Sequence, residues 1–190
     1  EILLALNRID VPDIRWKLNE CQRALSWLLN MQSKNGGWGA FDVDNDKEVL
    51  NEIPFADHKA LLDPPTIDVS SRILWMLSQW GFKREHPQVA LALKFVKEEQ
   101  ELDGCWFGRW GVNYIYGTFL AMTGLSAMGE DMSQSFSRKA IQWLETHQND
   151  DGGWGETCQS YEEPSLRGRG TSTASQTAWA LLALVAGGEA

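Results

Sequence analysis

The sequence predicts an all-α fold, a row of helical hairpins closing toward an α/α solenoid or barrel, on three observations. A unit ending in Gln-x-x-x-Gly-x-Trp occurs three times. Each copy is followed by a second, nearly uncharged segment, and a glycine stands where each of those segments ends. A fixed spacing that recurs along a chain is the mark of stacked supersecondary units, each burying its neighbour's apolar face.

In the first copy Arg23-Ala24-Leu25-Ser26-Trp27-Leu28 leads to Gln32 and Gly36-Gly37-Trp38-Gly39; in the third, Lys139-Ala140-Ile141-Gln142-Trp143-Leu144 leads to Gln148 and Gly152-Gly153-Trp154-Gly155. The middle copy keeps the spacing as Ala92-Leu93-Lys94-Phe95-Val96, Gln100 and Gly104-Cys105-Trp106, with Phe107 inserted before Gly108. Apolar residues before each glutamine fall at i, i+1 and i+4, the stripe of an amphipathic helix, and the glycine pair stops it. Lys17, Glu20, Arg23, Lys97, Glu98, Lys139 and Glu145 keep these first helices wet on one side.

The second segments run over Asp68 to Trp80, Asn113 to Met128 and Ala174 to Ala186, with Gly81, Gly129 and Gly187 as expected C-cap glycines. Ala178 to Ala186 is apolar all round, which suits a helix buried on both sides. Repeats are accordingly drawn at about 13–81, 87–129 and 134–187. The glutamines stand 68 and 48 residues apart, so the first unit carries about twenty extra residues, roughly Val43 to Leu62. An insertion in a repeat array becomes a loop on one face, often the functional one. Strands are not needed beyond short extended pieces there.

Composition narrows the function. The 190 residues carry 17 Lys plus Arg against 26 Asp plus Glu, a net charge of −9 with no basic cluster, so nucleic acid is not an expected partner. Cys21, Cys105 and Cys158 form no Cys-x-x-Cys pair and stand near no histidine at metal spacing, which fits reduced thiols in a cytosolic setting. The longest apolar run, Ala178 to Ala186, is nine residues, against the ~20 that cross a bilayer, and no signal peptide is visible. At one end, Glu1 to Ile9 reads as the last turns of an uncapped inner-type helix; at the other, Gly187-Gly188-Glu189-Ala190 follows an inner helix directly. Half a helix and three hairpins leave apolar flanks open, so the chain reads as a segment of a longer one.

The Lys/Arg-Ala-x-x-aromatic-aliphatic-x-x-x-Gln-x-x-x-Gly-x-Trp unit resembles the QW repeat of triterpene cyclases. Phe107-Gly108-Arg109-Trp110-Gly111-Val112-Asn113-Tyr114-Ile115-Tyr116-Gly117-Thr118 and Ser175-Gln176-Thr177-Ala178-Trp179-Ala180-Leu181 are similar to squalene-hopene and oxidosqualene cyclases. The stretch from Trp38-Gly39-Ala40-Phe41-Asp42-Val43-Asp44-Asn45 through Ile53-Pro54-Phe55 to Asp63-Pro64-Pro65 is similar to the squalene-hopene branch in particular. The resemblance covers essentially the whole chain. It implies an α/α barrel (toroid), here incomplete, from the C-terminal half of an enzyme with two such domains around a cavity. It also implies a peripheral, monotopic position on the cytoplasmic side of a membrane, a possible homodimer, a squalene-like polyprene as substrate, and neither metal nor organic cofactor. The full enzyme would be a cyclase of the intramolecular transferase or lyase type, an isomerase of hopanoid and triterpenoid biosynthesis; the isolated segment is expected to be inactive.

The family's proton donor is the middle Asp of an Asp-x-Asp-Asp motif, placed just before a stretch like Glu1 to Arg8. No such run is present, and Asp42-Val43-Asp44-Asn45-Asp46 fails the spacing. Protonating an alkene needs a carboxylic acid held protonated in an apolar cavity by its neighbours. By resemblance Asp63, Asp68, Arg72 and Tyr116 belong to the network that supports that upstream acid. Arg72 stands where the hopene branch has His. A permanent guanidinium favours an ionised acid pair, or it pairs with one aspartate and strengthens another as donor.

The carbocation that follows has to be steadied without a lone-pair nucleophile, which favours aromatic faces at ~0.5–2 kcal/mol each. By resemblance Phe41, Phe55 and Trp110 line the cavity, and His58 lies near the substrate entrance. Phe41 replaces the usual Tyr and His58 a second Phe. Plainer readings compete. Trp38, Trp106 and Trp154 recur at a repeat position and read as packing residues, Phe41 and Phe55 divide between core and cavity, and Trp110, outside the repeat, reads as lining. Asp63 and Asp68 both fit helix N-caps. His86 and His147 read as surface residues, and the cysteines as small core or turn residues.

Three other functions fit parts of the pattern. A glycan-active α/α barrel would draw a carboxylate pair from Asp42, Asp44, Asp57 and Asp63 and stack its tryptophans on sugars, but those tryptophans recur in the repeat instead of gathering in one loop. A protein prenyltransferase β-type subunit would need a zinc site of Asp, Cys and His. The segment could also be a non-catalytic structural half-domain.

Overall fold

The computed structural model describes residues 15–47 and 62–189, with the side chains of 15–18 left out. Six α-helices occur among these residues: α1 (Arg15–Asn30), α2 (Ile67–Gln79), α3 (Pro87–Glu98), α4 (Tyr114–Ala127), α5 (Ser135–Thr146) and α6 (Ala174–Ala186). Two short 3₁₀ helices, Cys158–Tyr161 and Pro164–Leu166, lie between α5 and α6. Extended pairing among the described residues is one isolated antiparallel bridge, Asn45 to Asp63.

The uncharged segments form the inner row. α4 packs along α2 on one side and α6 on the other, and these are the most extensive helix contacts among the described residues. Burial follows from that placement: ten of the fourteen α4 residues are buried, from Tyr114 to Leu125. Gly124 permits the approach to α2, because a Cβ there would lie 2.8 Å from the Ser71 carbonyl oxygen. The core joins Leu74, Leu77, Ile115, Met122 and Leu125 of the inner row to Val89, Val96, Ile141 and Leu144 of α3 and α5.

The repeat unit explains itself in hydrogen bonds. A helix leaves its last four carbonyls without intrahelical partners. In each hairpin the tryptophan indole donates Nε1–H to one of those carbonyls: Trp38 to Leu28 (2.8 Å), Trp106 to Val96 (2.7 Å) and Trp154 to Leu144 (2.8 Å). Its backbone N–H in turn goes to a hydroxyl of the inner helix that follows, Ser70, Thr118 or Thr177. The three rings are 1%, 0% and 3% exposed, so the recurring tryptophans are packing residues that also satisfy a buried helix end.

The glutamine handles the next hairpin. Gln32 Nε2 donates to Gly36 O within its own turn and to Gln88 O at the start of α3, both at 2.8 Å. Gln100 does the same with Gly104 O and Phe136 O of α5, again at 2.8 Å. Gln148 makes the turn bond to Gly152 O (2.8 Å) at an exposed site. Gly36 and Gly104 occupy the left-handed region at φ +96 and +104, and a Cβ on either would run into the backbone of Leu91 or Lys139 on the next outer helix. Gly152, at φ +82, has nothing within 4 Å of such a Cβ.

Gly187 is the C-cap of α6, as expected, at φ −78, with Gly188 at φ +90; Gly81 and Gly129 stand one place beyond the C-caps Trp80 and Met128, at φ +80 and +74. Three expectations need correction. His86 and His147 are half-buried: His86 meets Phe82 edge-on at 4.9 Å, and His147 stacks on Trp143 at 4.4 Å. Asp63 and Asp68 are not N-caps, since Thr66 holds that position for α2. The reading of Glu1 to Ile9 as a helix end lies outside the described residues. α6, expected to be buried on both sides, is covered on one: Ala180 and Ala183 are buried, while Leu181, Leu182 and Val185 form an apolar face that is half exposed.

Two predictions follow from the ties and the thiols. Gln100→Ala removes two hydrogen bonds and leaves helix-start and turn carbonyls without their amide partner, so it should lower unfolding free energy by about 1–3 kcal/mol, with Gln148→Ala costing less than about 1, in urea titrations. Cys105 is buried, and that burial, with Asp103 next, pushes its thiol far up, whereas Cys158 is exposed. Iodoacetamide at neutral pH should therefore label Cys158 and spare Cys105, read by peptide mass spectrometry.

Candidate functional site

The sequence-predicted residues that fall in the described region gather at the N-terminal ends of the inner helices. Asp68 and Arg72 are one turn apart on α2, Tyr116 is in the first turn of α4, and Trp110 lies in the 107–113 segment that leads into it. Phe41 comes from the loop after the first turn. Phe55 and His58, and Asp57 with them, lie outside the described residues.

Asp63 is 6% exposed and spends its carboxylate on the loop that carries Phe41. Oδ1 accepts from Ala40 N (3.0 Å), and Oδ2 accepts from Phe41 N (2.5 Å) and Asp42 N (2.7 Å). Three charge-assisted bonds from consecutive amides make this an anchor for the loop's path. Asp44, at φ +54, pairs with Lys34 Nζ at 3.1 Å, and the hydrogen bonds from Lys34 hold its carboxyl below the usual range. Asp42 accepts from Asn45 Nδ2 at 3.0 Å. These acidic groups are committed to shaping one loop.

Asp68 is 1% exposed in the first turn of α2, where the helix dipole favours a carboxylate. Its Oδ2 accepts from Trp110 N at 2.6 Å, which ties the first hairpin to the backbone of the second beside the indole. The Trp110 ring is 52% exposed and Phe41 74% exposed. The two meet edge-to-face with centroids 5.9 Å apart, so the aromatic pair is assembled on an open face of the described residues. Arg109 places its guanidinium 5.8 Å from the Trp110 centroid while donating to Leu62 O at 3.2 Å.

Arg72 is solvent-exposed, and its Nη2 donates to the Tyr116 hydroxyl oxygen at 3.1 Å. With that oxygen accepting, the phenolic proton is the group Tyr116 has left to donate. Tyr116 is 7% exposed, held by Trp179 of α6 at 4.9 Å between centroids. Below this pair a cavity of about 430 Å³ opens between the inner helices, lined by Ser71, Arg72, Trp75, Phe119, Leu120, Thr123 and Leu182. Its walls are apolar apart from Arg72 and two hydroxyls. Among the described residues no three His, Cys, Asp or Glu side chains stand close enough to share a metal ion, and no helix is long and apolar enough to cross a membrane.

Sequence reasoning missed the groups behind the aromatic pair. Glu156, Tyr161 and Gln176, all from the third hairpin, bond the backbone between Arg109 and Ile115. Burial, with the Asp68 charge next, pushes the Tyr161 phenol up to about 12, so it is a donor throughout the neutral range. Trp179 lay in a stretch read as inner helix, and its contact with Tyr116 could have been found only from the relative rotation of α4 and α6.

Residues 1–190 match the family model described as squalene-hopene cyclase C-terminal domain. The chain is 50% identical over 197 residues to a squalene-hopene cyclase of Zymomonas mobilis and 47% identical over 189 residues to one of Alicyclobacillus acidocaldarius. It is 43% identical over 208 residues to a dammaradiene synthase of the fern Dryopteris crassirhizoma. Each alignment takes in 100% of this chain but only 29% or 30% of the relative, so the chain spans less than a third of the length of these proteins. The repeat ties, the apolar inner row and the whole-length match agree: the chain belongs to the squalene-hopene cyclase C-terminal domain family.

Proposed function

We propose that this chain is part of a triterpene cyclase that folds squalene, or a related linear polyprene, and closes it into fused rings through a proton-initiated carbocation cascade. The observation that carries the reading is the assembly of Phe41 and Trp110, with Arg72 and Tyr116 beside them, at one end of an apolar inner row. The names of the relatives, two squalene-hopene cyclases and a dammaradiene synthase, support the same substrate class. No proton is delivered by the described residues; they prepare the ground for an acid on another part of the full protein.

In this reading Trp110 and Phe41 turn π density toward the developing cation. By the family resemblance Phe55 would line the cavity and His58 would stand near its entrance. Tyr116, its oxygen accepting from Arg72, offers its O–H as a hydrogen-bond donor to the acid's carboxyl group, and the Arg72 charge pairs with the ionised member of that acid network. Asp68 and Asp63 act one step back, fixing the backbone of Trp110 and Phe41 respectively. The overall change is intramolecular and needs no redox partner. The full enzyme would rest on one membrane leaflet, cytoplasmic side, take up its substrate from the lipid and work as a homodimer, as the family resemblance suggests; the 190 residues alone would not turn over.

The test is conversion of squalene by the full-length protein, with products resolved by gas chromatography and mass spectrometry. Trp110→Ala should lower turnover roughly 2- to 30-fold, the range that corresponds to ~0.5–2 kcal/mol of cation–π stabilisation, and add partly cyclised products. Trp110→Phe should retain most activity. Unchanged rate and product in Trp110→Ala would remove this residue from the cavity. Arg72→Met, which deletes the bond to Tyr116, should cut turnover by about tenfold or more at little change in KM if the pair supports the acid.

A further inference from the structure

We infer that Glu156, Gln176 and Tyr161 form a cross-repeat clamp that positions Trp110 and Tyr116 from the far side, a role outside the repeat's own architecture. The inference rests on the proposed cyclase reading for its functional consequence, and on geometry alone for the clamp itself.

Glu156 stands two residues after Trp154. The position two residues after Trp38 is Ala40, and after Trp106 it is Gly108, or Arg109 when Phe107 is counted as the insertion; none is a carboxylate or an amide. Gln176 precedes Thr177, the hydroxyl that takes the Trp154 backbone N–H; its counterparts before Ser70 and Thr118 are Val69 and Gly117. The hairpin itself therefore forms twice without a carboxylate or an amide at these places. Two polar side chains that the hairpin does not require, 7% and 5% exposed, have their function elsewhere.

Their partners show where. Glu156 Oε2 accepts from Asn113 N (3.2 Å) and Ile115 N (3.0 Å), two of the free amides at the start of α4, where the helix dipole adds to the bond. Gln176 Oε1 accepts from Glu156 N (3.0 Å), and Gln176 Nε2 donates to Val112 O (3.2 Å) and Glu156 O (3.1 Å), so the amide holds the carboxylate's own backbone while gripping the site segment. Tyr161, on the 3₁₀ excursion, donates to the carbonyls of Arg109 (3.2 Å) and Gly111 (2.8 Å), the two residues that flank Trp110. From the opposite side Asp68 holds Trp110 N. Apart from the backbone of Glu156 itself, the groups so held lie between Arg109 and Ile115, in the segment that carries Trp110 and leads to Tyr116.

Such a clamp acts through placement, so it should govern how a substrate is folded more than how tightly it is bound. The test uses the full-length protein with Glu156→Ala, Glu156→Gln and Tyr161→Phe. Peptide-resolved amide exchange is measured over 109–115 and, as control, over 120–125 at the centre of α4; kcat, KM and product pattern are measured with squalene. Glu156→Ala should speed exchange at 109–115 by roughly tenfold with 120–125 unchanged, lower kcat by roughly tenfold with KM within about twofold, and scatter the products. Tyr161→Phe should do the same more weakly. Glu156→Gln should restore most of both readouts, because the amide oxygen can still accept from Asn113 N and Ile115 N.

Unchanged exchange at 109–115 in both Glu156→Ala and Tyr161→Phe would overturn the clamp, as would equal acceleration at 120–125, which marks a general stabilising role. Faster local exchange with unaltered kcat and products would overturn its functional part. If the parent protein makes no cyclic product from squalene, the cyclase reading fails, and the exchange measurements still decide the clamp.

Discussion

Burying the ends of helices is the constraint on which this structure turns. A row of hairpins covers its helix ends with the neighbouring unit, and each covered end carries backbone carbonyls that water can no longer reach. An indole N–H and a carboxamide are well suited to the task, since each brings a donor on a large or flexible apolar frame. Trp106 fills core volume and satisfies Val96 O in one stroke, and Gln100 spans from its own turn to α5. The ten tryptophans, unusual in a chain of 190, find part of their explanation here without any reference to catalysis.

The same geometry places chemistry at one end of the inner row. Inner helices that touch only other helices can be uncharged along their length, and polar residues are then tolerated where the helices begin. Asp68 and Arg72 sit in the opening turns of α2, and Tyr116 in that of α4. Asp68 in such a turn accepts from Trp110 N, and Asp63, in the loop before α2, accepts from the amides of Ala40, Phe41 and Asp42. Those bonds assign the two carboxylates to holding the backbone of Trp110 and Phe41.

Much of the fold was legible because it repeats. The Gln-x-x-x-Gly-x-Trp spacing, the uncharged inner segments and the glycines at Gly81 and Gly129 each stand on a period, and a period can be read without coordinates. Gly187 caps α6 as read, and the glycine beside it, Gly188, takes the positive φ. His86 and His147 misled because a histidine on an outer helix reads as wet, while a neighbouring ring one turn back, Phe82 or Trp143, covers it. Of the candidate site, Asp68, Arg72, Tyr116, Phe41 and Trp110 were found through motif resemblance, and the structure brings them to one region. Their roles could not be read, because a carboxylate that anchors amides and one that tunes an acid look alike in sequence.

Glu156 and Gln176 were missed for the opposite reason: they break the period, in a hairpin whose repeat signature is otherwise complete. A residue that departs from its own repeat is informative only when the partner it reaches is known, and that partner lies 41 to 64 residues away in the preceding hairpin. The departure also explains how one site can be built on three similar units. Identical hairpins would present the same turn three times and could not tell one inner helix start from another. Specialising the first with Asp68 and the third with Glu156 and Gln176 lets both converge on the 109–115 segment of the second, so the backbone that carries Trp110 is held from two hairpins at once.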